Sequence, residues 1–325
     1  MKILVVGGAG YVGGHLVDVL SQEGHQVTVY DVLLYEECYR KNVPFIHGDI
    51  REKKKLLQAL EGMDAVIWLA ALVGDPACSL KESLTVEINK DSVQFLKDHY
   101  HGRIIFMSTC SVYGAADGVL TENSSLNPLS LYARTKLQAE EILKNSDAVI
   151  FRLGTLYGLG DRFSRVRFDL VTNTLVMRAA LHGKFSVFGG EQYRPMLHVR
   201  DVSQAVLLAL AKNTCKGIYN LSSENITIAQ MAQKISNYFP QVQISYTDVK
   251  YQDQRNYRVS SQKAIEQLGF KASLNLIDGI KELKELLEQG RIKNSFLQRY
   301  SNYLYLRPLL EEYDSPLGKL VDADF

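Results

Sequence analysis

The sequence predicts an α/β protein, a doubly wound parallel sheet with a smaller, interleaved α/β lobe. Three observations predict it. Short apolar runs alternate with amphipathic stretches through the first half of the chain, as in β-α-β units whose strands are buried on both faces. A glycine-rich turn, Gly7-Gly8-Ala9-Gly10-Tyr11-Val12-Gly13, follows the first apolar run at once. After Leu153 the alternation weakens, yet one further strand pattern comes at Gly217 to Leu221.

Taken in order, Lys2 to Val6 is apolar enough for one buried parallel strand, and Tyr11 to Leu20 reads as an amphipathic helix. His25 to Tyr30 is the second strand, Val43 to His47 a short third, and Glu52 to Glu61 a charged helix. Ala65 to Leu69 is the fourth strand, Leu80 to Tyr100 reads mainly as helix, and Arg103 to Met107 is the fifth strand. Leu131 to Asn145 is the next helix and Ala148 to Arg152 the sixth strand. Gly158 to Asp169 has no clear period, Leu170 to Leu181 and Val202 to Ala211 look helical, and Gly217 to Leu221 is a strand expected to rejoin the main sheet. The expected division is a dinucleotide-binding (Rossmann) domain at 1–155, with 202–222 returning to it, and a substrate lobe from 156–201 and 223–325. Strand ends would place Gly7, Asp31, Ala70 and Ser108 along one carboxyl edge, where such sheets bind ligands.

The glycine turn suits a dinucleotide. Gly7 allows the tight turn, Gly10 the close approach of a pyrophosphate, and Gly13 the packing of helix on strand. The spacing is G-x-x-G-x-x-G, and glycine-rich turns also arise for steric reasons alone. Asp31, at the tip of the second strand, accepts hydrogen bonds from both adenosine ribose hydroxyls in such folds and would repel a 2′-phosphate. That favours NAD over NADP; the competing reading is that Asp31 caps the next element. Downstream, Tyr132 and Lys136 are spaced to share one helix face. An ammonium beside a phenol stabilises the phenolate, so such a tyrosine can take a proton from a substrate hydroxyl while hydride leaves the same carbon.

Composition narrows the classes. The 325-residue chain is long enough for a large core, and its net charge of +1 offers no basic field for nucleic acid or an anionic membrane. Cys38, Cys78, Cys110 and Cys215 are scattered without C-x-x-C spacing, which fits a reducing cytoplasm better than a disulfide frame or a zinc site; no metal is expected. The apolar start lacks a cleavage-site pattern, and no apolar run reaches transmembrane length.

Several blocks together resemble the extended short-chain dehydrogenase/reductases, of the NAD-dependent epimerase/dehydratase type acting on nucleotide sugars. The resemblance covers almost the whole chain. Gly7, Gly10 and Gly13 match the family glycines, with Tyr11 and Val12 between them. Asp49-Ile50 matches the pair that touches adenine, Leu69-Ala70-Ala71 the ending of strand four, and Asn89 an asparagine supporting the active-site end of the fourth helix. Ser108-Thr109-Cys110-Ser111-Val112-Tyr113-Gly114 matches the block after strand five. Val187 to Asp201 matches the substrate-lobe signature, and Asp253 to Val259 the late block with a phosphate-binding arginine. The resemblance implies that Thr109 bonds the sugar C4 oxygen, Tyr132 is the acid/base, and Lys136 holds the nicotinamide ribose. It places Arg194 and Arg255 on the nucleotide diphosphate, with Arg258 a neighbour, and implies a homodimer. Bland alternatives stay open: Thr109 bonding its own backbone, and Asn173 facing solvent rather than the sugar-phosphate. Asp75 is a turn residue in Gly74-Asp75-Pro76 or a sugar contact. His198 and Asp201 are expected to orient the chain.

Departures from the family pattern bear on the reaction. Sugar 4,6-dehydratases carry Asp-Glu directly after the catalytic threonine; this chain has Cys110-Ser111. Cys110 is either an auxiliary carbon acid/base or a small residue packing behind the cofactor, and Ser111 stands where some 3,5-epimerases have their cysteine. Thr155 replaces an asparagine usual in UDP-galactose-type epimerases. The leading expectation is an NAD-dependent nucleotide-sugar oxidoreductase acting at C4, as an epimerase. The alternatives are a nucleotide-sugar 4-dehydrogenase or 4-keto-reductase and, in another class, a non-catalytic NAD-sensing or scaffold protein.

Overall fold

The computed structural model describes residues 1–247 and 255–311. Its main sheet takes strands β1 (Lys2–Val6), β2 (Gln26–Asp31), β3 (Phe45–His47), β4 (Ala65–Trp68) and β5 (Arg103–Thr109) in turn. After the short β6 (Ala115–Leu120) come β7 (Ala148–Leu153), β8 (Thr155–Tyr157), β9 (Lys184–Phe188), β10 (Tyr193–His198) and β11 (Gly217–Leu221). Seven of these form one sheet in the order β11-β7-β5-β4-β1-β2-β3, with every pairing parallel. The strand order reverses beside β1, which puts the ligand crevice of a doubly wound sheet at the carboxyl ends of β1 and β4. The expected return of 217–221 is realised as β11 pairing with β7.

Helices cover both faces. In β1, Ile3 and Val5 enter one apolar cluster and Leu4 and Val6 the other, the two-residue period of a strand buried on both sides. The first cluster is closed by α1 (Gly13–Gln22) through Leu16 and Val17. The second is closed by α2 (Lys53–Leu60) through Leu56, and by the helices between β4 and β7. The segment from Leu80 to Tyr100, expected to be mainly helix, is helical from Glu82 to His99. A separate turn of helix, α3 (Asp75–Cys78), precedes it, and within it α4 (Glu82–Val86) runs through a one-turn π-bulge at Glu87–Asp91 into α5 (Ser92–His99). Such a bulge inserts one extra residue into a helix and re-aims a side chain; here that side chain is Asn89. Helix α6 (Leu131–Leu143) starts on a Ser130 cap whose hydroxyl accepts the Ala133 N–H.

A third apolar cluster belongs to the smaller lobe. It gathers Tyr157, Val176, Met196, Met231 and Ile280, among others, from β8, β10, α7 (Val171–His182), α9 (Ile228–Ser236) and α10 (Leu276–Glu288), with Phe168 from the segment before α7. Helix α8 (Asp201–Ala211) instead packs under the main sheet through Val202, Ala205 and Val206. Strands β12 (Glu224–Thr227), β13 (Gln243–Thr247) and β14 (Asn256–Val259) pair with β10, β9 and β6 respectively, none of which the sequence pattern disclosed. Helix α11 (Asn302–Glu311) lies back against α3, with Leu306 buried in the second cluster.

Candidate active site

A cleft of about 240 Å³ opens along the carboxyl edge of β1, β2 and β4 and ends at Tyr132 and Lys136. Gly7, Asp31, Ala70 and Ser108 all line it, as the strand ends require. At one end lies the glycine turn. Gly7 holds φ +84°, and a Cβ there would stand 2.6 Å from the Ala70 nitrogen, so only glycine fits. A Cβ on Gly13 would meet Gly8 at 2.6 Å, which fixes how closely α1 enters the turn. Gly10 meets only the Gly7 carbonyl, at 3.3 Å, and leaves its face of the turn open to the cleft. The turn therefore presents backbone N–H groups and a helix N-terminus to whatever lies there.

These features fit NAD. Asp31 ends β2 in the cleft wall; its Oδ1 accepts the Leu33 N–H at 2.8 Å and Oδ2 the Ala9 N–H at 3.0 Å. Burial raises its carboxyl above the ordinary range, with those two N–H groups opposing. Its local capping bonds and a place in the cleft wall thus coexist. Tyr11, Val12, Asp49, Ile50, Leu69 and Ala71 line the same cleft. Asp49 is held by a fork from Arg51 at 3.0 and 2.7 Å. Asn89 does not line the cleft. It is 1% exposed and clasps Leu72, accepting that residue's N–H at 2.8 Å and donating to its carbonyl at 2.9 Å. It shapes the loop after β4 through the backbone.

Thr109 terminates β5 beside the cleft-lining Ser108, and its Oγ1 accepts the Ser111 N–H at 3.1 Å, capping the turn Cys110–Tyr113. Tyr132, in the first turn of α6, lines the cleft. Lys136 lies one turn along α6, 3% exposed, donating to the Met107 carbonyl at 2.7 Å and sitting 4.6 Å over the Phe106 ring. Burial lowers its ammonium to about 8. Tyr132 departs from expectation. Burial, then the nearby Cys78 and Asp75, raise its phenol well above 10, against smaller pulls from Arg167 and the Thr109 side chain. Desolvation is the largest cause, so the phenol is protonated at neutral pH.

Cys110 faces away from the cleft. It is fully buried, with Sγ 3.2 Å from the Arg152 carbonyl, and burial pushes its thiol far above the usual range. This is the packing arrangement. Ser111 is the residue that meets the other lobe: Arg255 donates to its hydroxyl at 3.3 Å, and the same guanidinium lies 3.4 Å from Asp75. Asp75 starts α3, and its Oδ1 is buried with no hydrogen-bond partner. Arg194, 6% exposed on β10, donates to the Arg255 carbonyl and to that of Tyr193. Arg194, Arg255, Asp75 and Ser111 thus form one polar group. Arg258 lies 4.9 Å over the Tyr193 ring. Asn173 faces neither solvent nor open cleft; it is fully buried, accepting the Gly158 N–H at 3.0 Å and donating to the Arg167 carbonyl at 3.0 Å. His198 and Asp201 hold chain, on Glu282 and on Ser273 and Leu274. Asp253 and Gln254 of the late block lie outside the described residues.

Among the cleft-lining residues that sequence reasoning missed are Tyr35, Arg165, Arg167 and Asn302. Arg165-Val-Arg167 lies in the aperiodic stretch, where nothing in the pattern says which way a side chain faces. Among the described residues, no group of three His, Cys, Asp or Glu side chains is arranged to hold a metal ion, and no helix is long and apolar enough to cross a membrane. The four cysteines are free.

Comparison with known proteins agrees with this geometry. A family model described as the NAD dependent epimerase/dehydratase family matches residues 3–222. A UDP-glucose 4-epimerase of Lactobacillus helveticus is 27% identical over 317 residues, spanning 86% of this chain and 94% of that protein. A dTDP-glucose 4,6-dehydratase of Actinoplanes sp. is 28% identical over 315 residues, spanning 87% of this chain and 96% of that one. Among solved structures, MoeE5 in complex with UDP-glucose and NAD aligns with a TM-score of 0.78 at 26% identity, over 90% of this chain and all of that one. With a matching family model over more than half its length and a seven-stranded parallel sheet carrying the NAD cleft, the chain belongs to the NAD-dependent epimerase/dehydratase family of extended short-chain dehydrogenase/reductase enzymes.

Proposed function

We propose that this enzyme is a nucleotide-sugar oxidoreductase acting at C4 of the sugar, and that its net reaction is epimerisation. The observation that carries the reading is that Tyr132 and Lys136 line one cleft with Ser108, beside which Thr109 ends β5, with no carboxylic acid after Thr109. Tyr132 takes the proton from the C4 hydroxyl and later returns it. Thr109, fixed by the Ser111 N–H, orients the C4 oxygen. Lys136, fixed by the Met107 carbonyl, holds a cationic charge beside the phenol. NAD, when bound, supplies the acceptor and then the donor for the C4 hydride. Gly10, Tyr11, Val12 and Asp31 would hold its pyrophosphate and adenosine ribose.

Dehydration needs a proton donor for the departing C6 hydroxyl. Cys110 is a neutral thiol turned to the Arg152 carbonyl, and Ser111 is a weak acid engaged with Arg255. That speaks against elimination in this chain, although a dTDP-glucose 4,6-dehydratase is among the proteins it resembles. Arg194 and Arg255 suit the substrate diphosphate because the guanidinium fork binds it bidentately, with Asp75 and Ser111 toward the sugar. The match to a UDP-glucose 4-epimerase and to a UDP-glucose complex makes a UDP-hexose the first substrate to try. Release of a keto-sugar, as by a 4-dehydrogenase, is the second reading, since Thr155 in place of the usual asparagine leaves that sugar contact open.

We further propose a cytoplasmic homodimer paired through α4, α5 and α6, and a division into a dinucleotide-binding domain (1–155 with 202–222) and a substrate lobe. The test of function is mass spectrometry of ligands released from purified protein, followed by product analysis with UDP-, GDP-, CDP- and dTDP-hexoses. A C4 epimer with NAD retained supports the reading. A keto-sugar with stoichiometric NADH replaces it by the dehydrogenase, and neither bound NAD nor turnover leaves the scaffold reading.

A further inference from the structure

The cofactor cleft has a roof that carries two buried guanidinium groups to which neither the glycine turn nor the catalytic set gives a role. Arg165 and Arg167, each 8% exposed, line the same cleft as Gly10, Tyr11 and Tyr132. Their segment sits directly on the glycine turn. The Tyr11 hydroxyl donates to the Gly158 carbonyl at 2.5 Å. A Cβ on Gly160 would stand 2.6 Å from the Tyr11 carbonyl oxygen, and one on Gly14 would stand 2.6 Å from the Asp161 carboxylate. Arg167 lies 5.9 Å from the Tyr11 ring centroid, and Arg165 3.8 Å from that of Tyr35.

The charges on this roof are unevenly matched. Arg167 forks onto Asp169 at 2.9 and 3.0 Å. The Arg165 guanidinium donates instead to neutral oxygens, the Arg299 carbonyl at 2.7 Å and the Asn302 side chain. Glu36 accepts the Arg165 backbone N–H at 3.1 Å and pairs with Arg299. Burial, with Arg167 as the next cause, lowers Arg165 to about 10, the response of a cation held beside a like charge out of water. A buried guanidinium without a forked carboxylate is unfavourable on its own and strongly favoured once an anion arrives. Its planar fork matches phosphate oxygens, and the opposing glycine turn is itself an anion site.

We propose that Arg165 and Arg167 form a phosphoanhydride subsite that closes over the glycine turn and grips the cofactor's diphosphate from the side opposite α1. Asn302 is its strut. It is 3% exposed, donates to the Val73 carbonyl at 2.8 Å, takes the Arg165 bond on its side-chain oxygen, and places its own N–H 2.9 Å from Asp169. The roof is thus completed by α11, which lies beyond the residues that the family model matches. The inference rests on the NAD cleft described above. A nucleotide sugar also carries a phosphoanhydride, so the two sources have to be separated.

The experiment is calorimetry on cofactor-stripped protein, titrating NAD, adenosine and UDP into the parent, Arg165→Gln, Arg165→Lys, Arg167→Lys and Asn302→Ala. Arg165→Gln should weaken NAD about tenfold to a hundredfold and leave adenosine and UDP unchanged, since charge-assisted hydrogen bonds are the strong ones. Arg165→Lys should recover part of the loss, Arg167→Lys should weaken NAD several-fold, and Asn302→Ala should follow Arg165→Gln in direction. Melting curves report folding. If Arg165→Gln fails to fold, Arg165→Lys, which keeps the charge and loses the fork, carries the test with a several-fold loss. Unchanged NAD affinity in folded variants of both arginines overturns the subsite. Weakened UDP with unchanged NAD overturns the cofactor assignment and gives the roof to the substrate. A parent that binds UDP but no NAD removes the cleft reading on which the subsite rests.

Discussion

Arg152 lays its guanidinium fork on the Glu140 carboxylate at 3.1, 3.1 and 2.6 Å, with neither residue more than 2% exposed. Ser108 donates to the same carboxylate, and Arg152 donates to the Tyr113 hydroxyl at 2.9 Å. The buried pair thereby fastens β7 to α6, which carries Tyr132, and the Ser108 bond adds the end of β5, which carries Thr109. Removing one partner leaves an uncompensated interior charge. Glu140→Gln should therefore lower stability by about 3–5 kcal/mol, while Glu140→Leu combined with Arg152→Met should recover much of it. Urea unfolding of the three proteins measures this. A loss below 1 kcal/mol for Glu140→Gln would show that the pair fastens nothing.

The lowered Lys136 ammonium makes stability depend on pH. The native lysine gives up its proton near 8, the unfolded one near 10.5. Between those values the unfolded chain binds more protons, so stability rises with pH across that window, and the burial penalty is fully present below pH 8. Lys136→Met removes the group. Urea midpoints of the NAD-free parent should approach or fall below those of Lys136→Met as pH drops from 10 to 7.5. A pH-independent difference would mean that the ammonium titrates normally.

Asp31 should exclude a 2′-phosphate from the adenosine end of the cleft. Calorimetric titration should show NAD binding more tightly than NADP, and Asp31→Ala should narrow the gap. Equal or tighter NADP binding by the parent would remove Asp31 from that role.

The homodimer is a separate expectation. Light scattering at micromolar concentration should give twice the 36.6 kDa chain mass. Only monomer at that concentration would exclude pairing through α4, α5 and α6.

The sheet was legible because its strands are buried on both faces. Lys2–Val6, Arg103–Thr109 and Ala148–Leu153 read as apolar runs whatever surrounds them. The glycine turn was legible because steric demand at Gly7 and Gly13 writes directly into residue type. The π-bulge around Asn89 within the 80–100 helix was not, because it leaves the apolar period on either side nearly intact. The short strands β8, β12 and β14 were invisible for a related reason: three or four residues show no period, and their pairing is long-range. Within the site, Thr109, Tyr132 and Lys136 were found by spacing and resemblance. The orientation of Cys110 toward Arg152, the clasp of Asn89 on Leu72 and the Arg165–Asn302 contact depend on how remote segments pack, and sequence offers no local mark of them. The phenol of Tyr132 shows the same limit, since spacing gives its neighbour on the helix but not the depth of its burial.

Whether Tyr132 moves the proton that accompanies hydride transfer is settled by reduction of bound NAD. The parent and Tyr132→Phe are loaded with NAD, mixed with a UDP-hexose, and followed at the absorbance of reduced nicotinamide. Lys136→Met and Thr109→Val serve as graded comparisons, the first also weakening NAD and the second slowing turnover less. Tyr132→Phe should bind NAD and sugar nucleotide as the parent does, yet form reduced cofactor about 10²- to 10⁴-fold more slowly, the usual contribution of a positioned acid/base group. Reduction in Tyr132→Phe at the parental rate would contradict the assignment of Tyr132 and, with it, the chemistry proposed for the site.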